Sequence, residues 1–163
     1  MATVDKTAYY NDMLARLEEV LYQELSRCAS WKMDFVGADF LSSKDIKGTT
    51  LPEIVDACVK EIKASELVKD LSYKVGGLGI LLRLEVDGCV HMPTEVKVKK
   101  DGVHPYLCPI ANMILDRIVD RLNYVATHIA KVEVDEDAGH CTIMCAIYEN
   151  ESKIGQVSDW TKV

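Results

Sequence analysis

The sequence lacks any run of about 18 consecutive apolar residues, so no part of it reads as a membrane span. Met1 to Leu14 carries acids early and has no apolar stretch, so it does not read as a secretory signal. Positive charge is not in excess; the formal net charge is -7. That argues against direct, sequence-independent binding of nucleic acid, which needs a basic face. The densest basic patch, Lys97, Lys99 and Lys100, reads as the solvated side of a short edge strand. No CxxC pair occurs, so the zinc-ribbon and ferredoxin signatures are missing. There is no G-x-S-x-G, no H-E-x-x-H and no phosphate-binding loop. Gly76, Gly77 and Gly79 lack the dinucleotide spacing and lead into a strand. Internal repeats and low-complexity stretches are also absent.

What is present suits one domain spanning residues 1–163. The chain is 48% hydrophobic and 28% charged, enough for a core and a polar surface. With no export signal, the expected compartment is the cytoplasm. There the six cysteines are expected to be buried, metal-bound or reactive instead of disulfide-paired.

The periodicity predicts a first helix over roughly Asp5 to Cys28. Tyr10, Met13, Leu14, Leu17, Val20, Leu21 and Leu25 recur at three and four and make one broad apolar stripe. Asp34 to Leu41 reads as a loop with a short helical turn. A second helix opens on a capping box, Thr50 to Glu53, with Pro52 in the tolerant first turn. Its face carries Leu51, Ile54, Val55, Cys58, Val59 and Ile62, so Cys58 reads as a small core residue. The helical pattern breaks at Val75 to Gly79. Ile80, Leu82, Leu84 and Val86 then alternate with Leu81, Arg83, Glu85 and Asp87 as a strand. Asp87-Gly88 is a turn signal. Thr94 to Lys99 reads as a second short strand, followed by the turn Asp101-Gly102. A helix is predicted from Pro109 to about Leu122. Strands over Tyr124 to Asp135 and Cys141 to Tyr148 flank a tight turn at Glu136 to Gly139. The fold class is therefore α+β: N-terminal helices and a mostly antiparallel sheet, with a helix inserted between two strand pairs. Beyond Glu149 the chain is polar as far as Trp160.

Cys108 stands where chemistry is best placed. Pro109 suits the first helical position, because its missing N–H would be unpaired there anyway. That puts Cys108 at or beside the N-cap, where free N–H groups and partial positive charge favour a thiolate. Serine, aspartate or asparagine would cap better, so cysteine is a mildly costly choice. Cys89 and His91 lie two apart and would share a face of an extended chain. His104 is just upstream of Cys108, and His140 and Cys141 open the last strand. Thiolate plus imidazole favours zinc or another transition metal. A plainer reading stands beside it: Cys141, Ile143, Cys145 and Ile147 share a parity, as core residues would. A thiol enzyme using Cys108 with His104, His91 or His140 is a further alternative. Asp116, Asp120 and Arg121 read as a solvated helix face.

From about Gly79 to Tyr148 the chain resembles the 4-vinyl reductase (V4R) family. These are predicted hydrocarbon-binding domains related in fold to subunits of the TRAPP vesicle-tethering complex. The resemblance rests on Cys108-Pro109-Ile110-Ala111 opening an amphipathic helix, on the strand segment Val132-Glu133-Val134, and on Gly139-His140-Cys141 leading into the final strand. In family members that sense aromatic compounds, equivalent positions hold a structural zinc beside a buried ligand pocket. The resemblance carries that role to Cys108, Glu133 and Cys141. The family cysteine shortly after the glutamate has no counterpart; Glu136 stands near its place, and the turn to Cys141 is shorter. Cys89 or His91 would fill the vacancy. The resemblance implies a small-molecule-binding or sensor domain, forming a homodimer, with an apolar or amphipathic ligand and a cysteine-rich zinc or other transition-metal site. A catalyst centred on Cys108 and a structural interaction subunit are the alternatives.

Overall fold

The computed structural model describes residues 5–77 and 81–153. Asp5 caps the first helix, its Oδ1 accepting from the Ala8 N–H at 3.1 Å. This helix, α1, spans Lys6–Leu25, and a short 3-10 turn, Ser26–Cys28, follows it. Two brief helices come next, α2 (Ala29–Lys32) and α3 (Ala38–Ser42). Helix α4 (Leu51–Ala64) begins on the expected capping box. The Glu53 carboxylate accepts from the Thr49 and Thr50 N–H groups at 2.8 and 3.2 Å. Strands β1 (Asp70–Gly76) and β2 (Leu81–Asp87) follow. Helices α5 (Met92–Lys100) and α6 (Pro109–Leu122) precede β3 (Ala126–Asp135) and β4 (His140–Tyr148).

The strands make a four-stranded sheet in the order β1-β2-β4-β3, each pair antiparallel. The fold is α+β, as the alternation of helical and strand periods implied. Register aligns the core across the inner strands: Leu82 faces Cys145, Leu84 faces Ile143 and Val86 faces Cys141. Val132 and Val134 continue two of those rows on β3. The core lies between this face of the sheet and helices α4 and α6. Ile54, Val55, Cys58 and Ile62 enter it from α4, and Ile110, Ile114 and Ile118 from α6. Truncating Ile114 to alanine there costs about 2–5 kcal/mol by the usual cavity penalty.

Three expectations are corrected. Residues Thr94 to Lys99 are helical within α5, not a strand. Val96 and Val98 alternate with Lys97 and Lys99, but so short a run does not fix a period. Pro93 in the first turn and the buried set Thr94, Glu95 and Val98 belong to a helix packed on α1. Its lysines reach partners instead of lining a sheet edge: Lys97 pairs with Asp12 at 2.7 Å, and Lys100 with Glu136 at 3.0 Å. The second paired strand is β1, where Leu71, Tyr73 and Val75 alternate with Ser72 and Lys74. Ile80 and Gly79, assigned above to the strand and its approach, lie outside the described residues, as does Trp160.

The third correction concerns α1. Its apolar stripe does not face the core. Tyr10, Met13, Leu17 and Val20 are exposed, and the helix buries Asn11, Ala15, Glu18 and Glu19 against its neighbours. Polar bonds fix this inner face: Asn11 Nδ2 donates to the Val90 carbonyl at 2.8 Å, and Thr94 Oγ1 donates to Asn11 Oδ1 at 3.1 Å. Glu18 has no exposed surface, and neither of its carboxyl oxygens has a hydrogen-bond partner. Desolvation, with the nearby Glu19 carboxyl adding to it, raises its pKa from 4.5 to about 8.

An acid whose folded pKa is raised stabilises the fold least where it must ionise. Below its unfolded value it carries no penalty, and the folded state then loses stability as pH rises towards the folded value. Glu18→Gln should therefore gain stability relative to the parent as pH rises from 4.5 to about 8. Thermal unfolding of both proteins across that range measures it, with a relative gain of several degrees in Tm expected. Parallel curves for parent and variant would refute the assignment.

Candidate functional site

Residues Tyr106 to Asn112 separate two cavities. Cys108 is the N-cap of α6, as its neighbour Pro109 predicts; its backbone is extended and its Sγ accepts from the Ala111 N–H at 3.5 Å. Around its inner side lies a small cavity of about 10 Å³, lined by Cys89, His91, Glu95, Cys108 and Cys141 together with apolar neighbours. That volume is about the space of one water-sized sphere.

The elements bring these groups together for separate reasons. Cys141 lies on the core parity of β4. Cys89 and His91 follow β2 after the Gly88 turn, where a positive φ of 59° suits glycine. The His91 N–H donates to the Cys89 sulfur at 3.4 Å. Glu95 enters from the first turn of α5; no sequence signal marked it, because glutamate in a lysine-rich segment reads as solvated. Both Glu95 carboxyl oxygens and the His91 Nδ1 are buried without a hydrogen-bond partner.

Burial sets the protonation of the cluster. It pushes the Cys108 thiol well above its ordinary value, and Cys89 adds to the shift. The Ala111 N–H works the other way and loses. Cys141 is raised to about 12, first by burial and then by Cys89 and Glu95. Cys89 is raised by burial, against the pull of the His91 and Met92 N–H groups. Glu95 is held protonated by burial and by Glu18, and burial lowers His91, leaving its imidazole neutral. A helix N-terminus was expected to favour a thiolate at Cys108. The structure corrects this: loss of water outweighs the helix end.

Other candidate residues stand elsewhere. Glu133 faces Thr142 across the β3–β4 ladder, is exposed and pairs with Lys131, so it does not join Cys108 and Cys141. Strand parity is the reason, since the buried Val132 and the half-buried Val134 beside it point inward. His104 is exposed. His140 sits on the outer face of the sheet between Asp87 and Glu85, at 2.7 and 2.8 Å. Those bonds raise its pKa, Asp87 contributing most. Cys58 and Cys145 are fully buried in the core. Arg117, which sequence reasoning passed over, is buried on α6 and bridges Asp116 and Asp120.

On the other side of the Tyr106–Asn112 segment lies a cavity of about 580 Å³. Its walls come from the α2–α3 region (Met33, Phe35), from α6 (Leu115, Val119) and from the ends of β3 and β4 (His128, Tyr148). Asn112 holds the first wall, its Nδ2 donating to the Met33 and Val36 carbonyls at 2.8 and 3.0 Å. Gly37, at φ 92°, lets α3 meet α6; a Cβ there would lie 3.0 Å from Pro109. His128 and Tyr148 stack with ring centroids 5.9 Å apart, and burial lowers the His128 pKa, leaving a neutral ring. Phe35 is 68% exposed at the cavity edge, so the space communicates with solvent.

No protein-family model and no curated protein searched matches the chain. Among the described residues, no three His, Cys, Asp or Glu side chains already stand as a metal-holding group, and no helix is long and apolar enough to cross a membrane.

The burial pattern sets an order of thiol reactivity. Cys28 is exposed, whereas Cys58, Cys108, Cys141 and Cys145 are buried. Alkylation of the native protein near neutral pH, read by peptide mass spectrometry, should label Cys28 first and the buried four at least about 100-fold more slowly, because labelling them requires opening of the core. Rapid labelling of Cys108 would revive a thiol enzyme.

Proposed function

We propose that the protein is a small-molecule-binding or sensor domain whose ligand occupies the 580 Å³ cavity. The cavity carries this reading. Its volume falls within the roughly 300–1,000 Å³ of small-molecule sites, and its lining is mostly apolar with a few convergent polar groups. The neutral His128 ring stacked on Tyr148 suits a planar apolar or aromatic compound more than a charged one. The resemblance to the hydrocarbon-binding V4R family supports the same class of ligand. Thiol catalysis is disfavoured, because burial holds Cys108 and Cys141 as protonated thiols.

The small cavity beside it supports a metal role for the cysteine cluster. Three thiols, a neutral imidazole with an unpartnered Nδ1 and a protonated Glu95 surround one ion-sized space. Zinc inverts such protonation, since a bound thiol loses its proton outright. Cys89, His91, Cys108 and Cys141 are the donors of choice, with Glu95 in the place that Glu133 does not reach. The side chains would have to draw inward around the ion. Zinc bound here would tie the β2–α5 segment to the start of α6, and hence to the cavity wall.

Thermal unfolding with phenol, p-cresol, indole and short alkanols tests the ligand. At about 100 times its Kd, a true ligand should raise Tm by roughly 5–10 °C. Leu115→Trp, which projects a larger ring from the cavity wall, should weaken that response while the far-ultraviolet spectrum is kept. A panel without effect would count against the reading. Separately, protein purified without added metal should carry about one zinc per chain, lost in Cys108→Ser and Cys141→Ser. A metal-free parent whose Cys108→Ser variant is equally stable would sink the metal site.

A further inference from the structure

Helix α1 presents an apolar seam to solvent. Tyr10, Met13, Leu17 and Val20 are 63%, 53%, 48% and 46% exposed, and all lie on its outward face. Their spacing alternates three and four, the pattern by which one helix packs its side chains between those of another. The same seam continues by one step at each end, to Lys6 and to Glu24, both exposed. Among the described residues neither forms an ion pair, whereas the flanking charges are already used within the chain: Asp12 pairs with Lys97, and Arg16 with Glu19.

We propose that α1 packs antiparallel on α1 of a second copy of this chain, across a two-fold axis. The order of residues along the seam favours that occupant. Antiparallel alignment about the middle of the seam sets Tyr10 against the partner's Val20 and Met13 against the partner's Leu17. The same alignment sets Lys6 against the partner's Glu24, and the two-fold axis repeats each pair. The apolar side chains therefore meet only apolar ones, and both ends close on opposite charges. Parallel alignment would instead set Lys6 on Lys6 and Glu24 on Glu24. Two copies at a net charge of -7 repel at long range, so a self-pairing surface must be locally neutral, as this seam is. The proposal is independent of the ligand and the metal.

Sedimentation velocity of the full chain over a concentration series tests it. The parent should be a dimer, and Leu17→Glu a monomer with an unchanged far-ultraviolet spectrum. Lys6→Glu should weaken the dimer about tenfold, since attraction becomes repulsion at both ends. The exchange Lys6→Glu with Glu24→Lys should restore it. A parent monomeric throughout the series overturns the proposal. If Leu17→Glu also lowers the Tm of that monomer, a segment of the same chain covers the seam instead. A dimer indifferent to Leu17→Glu, or one weakened by Lys6→Glu but not restored by the exchange, overturns it equally.

Discussion

Burial of α6 is the constraint on which the rest of the structure depends. The helix is covered from Pro109 to Ile118 with one half-buried gap at Asp116, so each residue must find a partner away from water. Its isoleucines meet α4 and the sheet. Asn112 meets the carbonyls of the α2–α3 connection, and Arg117 meets two aspartates. Its first residue cannot donate a backbone hydrogen bond, and its cap is a thiol that accepts only weakly. The helix therefore starts dry. That dryness decides the chemistry at Cys108 more than the helix end does.

The same competition between water and protein recurs across the molecule. On the outer face of the sheet, Glu85 loses some hydration, yet bonds from Thr142, His140 and Arg83 outweigh that loss and keep its pKa low. Between α1 and α5 no such donors reach Glu18 or Glu95, and both carboxyls are held neutral. Two kinds of desolvated acid thus coexist, the half-buried Glu85 satisfied by neighbours and the buried Glu18 and Glu95 by their protons. The unsatisfied kind stands next to the three thiols. A fold that only needed packing there could have used leucine at lower cost, since a buried carboxyl without partners gives up hydration for nothing.

Residues whose local chemistry and tertiary role agree were legible in the sequence. Pro109 and the stripe from Ile110 to Leu122 defined α6 to its limits, and the Thr50–Glu53 box defined the start of α4. The parity of Cys141, Ile143, Cys145 and Ile147 marked the core face of β4. Legibility failed where a neighbour decides. The apolar stripe of α1 looked like a core face, but α5 offers Thr94 and Glu95, so the polar side of α1 turns inward. The α5 segment itself alternates like a strand and is helical because it has α1 to pack on. The large cavity was invisible for a different reason. Its walls come from segments between Ser30 and Tyr148, and no local pattern records an empty space between distant residues.

Tyr106 joins these parts physically. It lines the large cavity, its hydroxyl donates to the Glu18 carbonyl on α1 at 2.8 Å, and its ring stacks on Tyr22 with centroids 6.0 Å apart. Two residues along the chain, Cys108 begins the wall of the small cavity. A molecule that displaced the Tyr106 ring would act on α1 through one hydrogen bond and one stacked pair. Any such coupling is reciprocal: a cavity ligand that changed the affinity of the α1 seam for a partner by some factor would have its own affinity changed by the same factor when that partner binds. Tyr106 is thus a side chain that touches both the cavity and the helix beneath the seam.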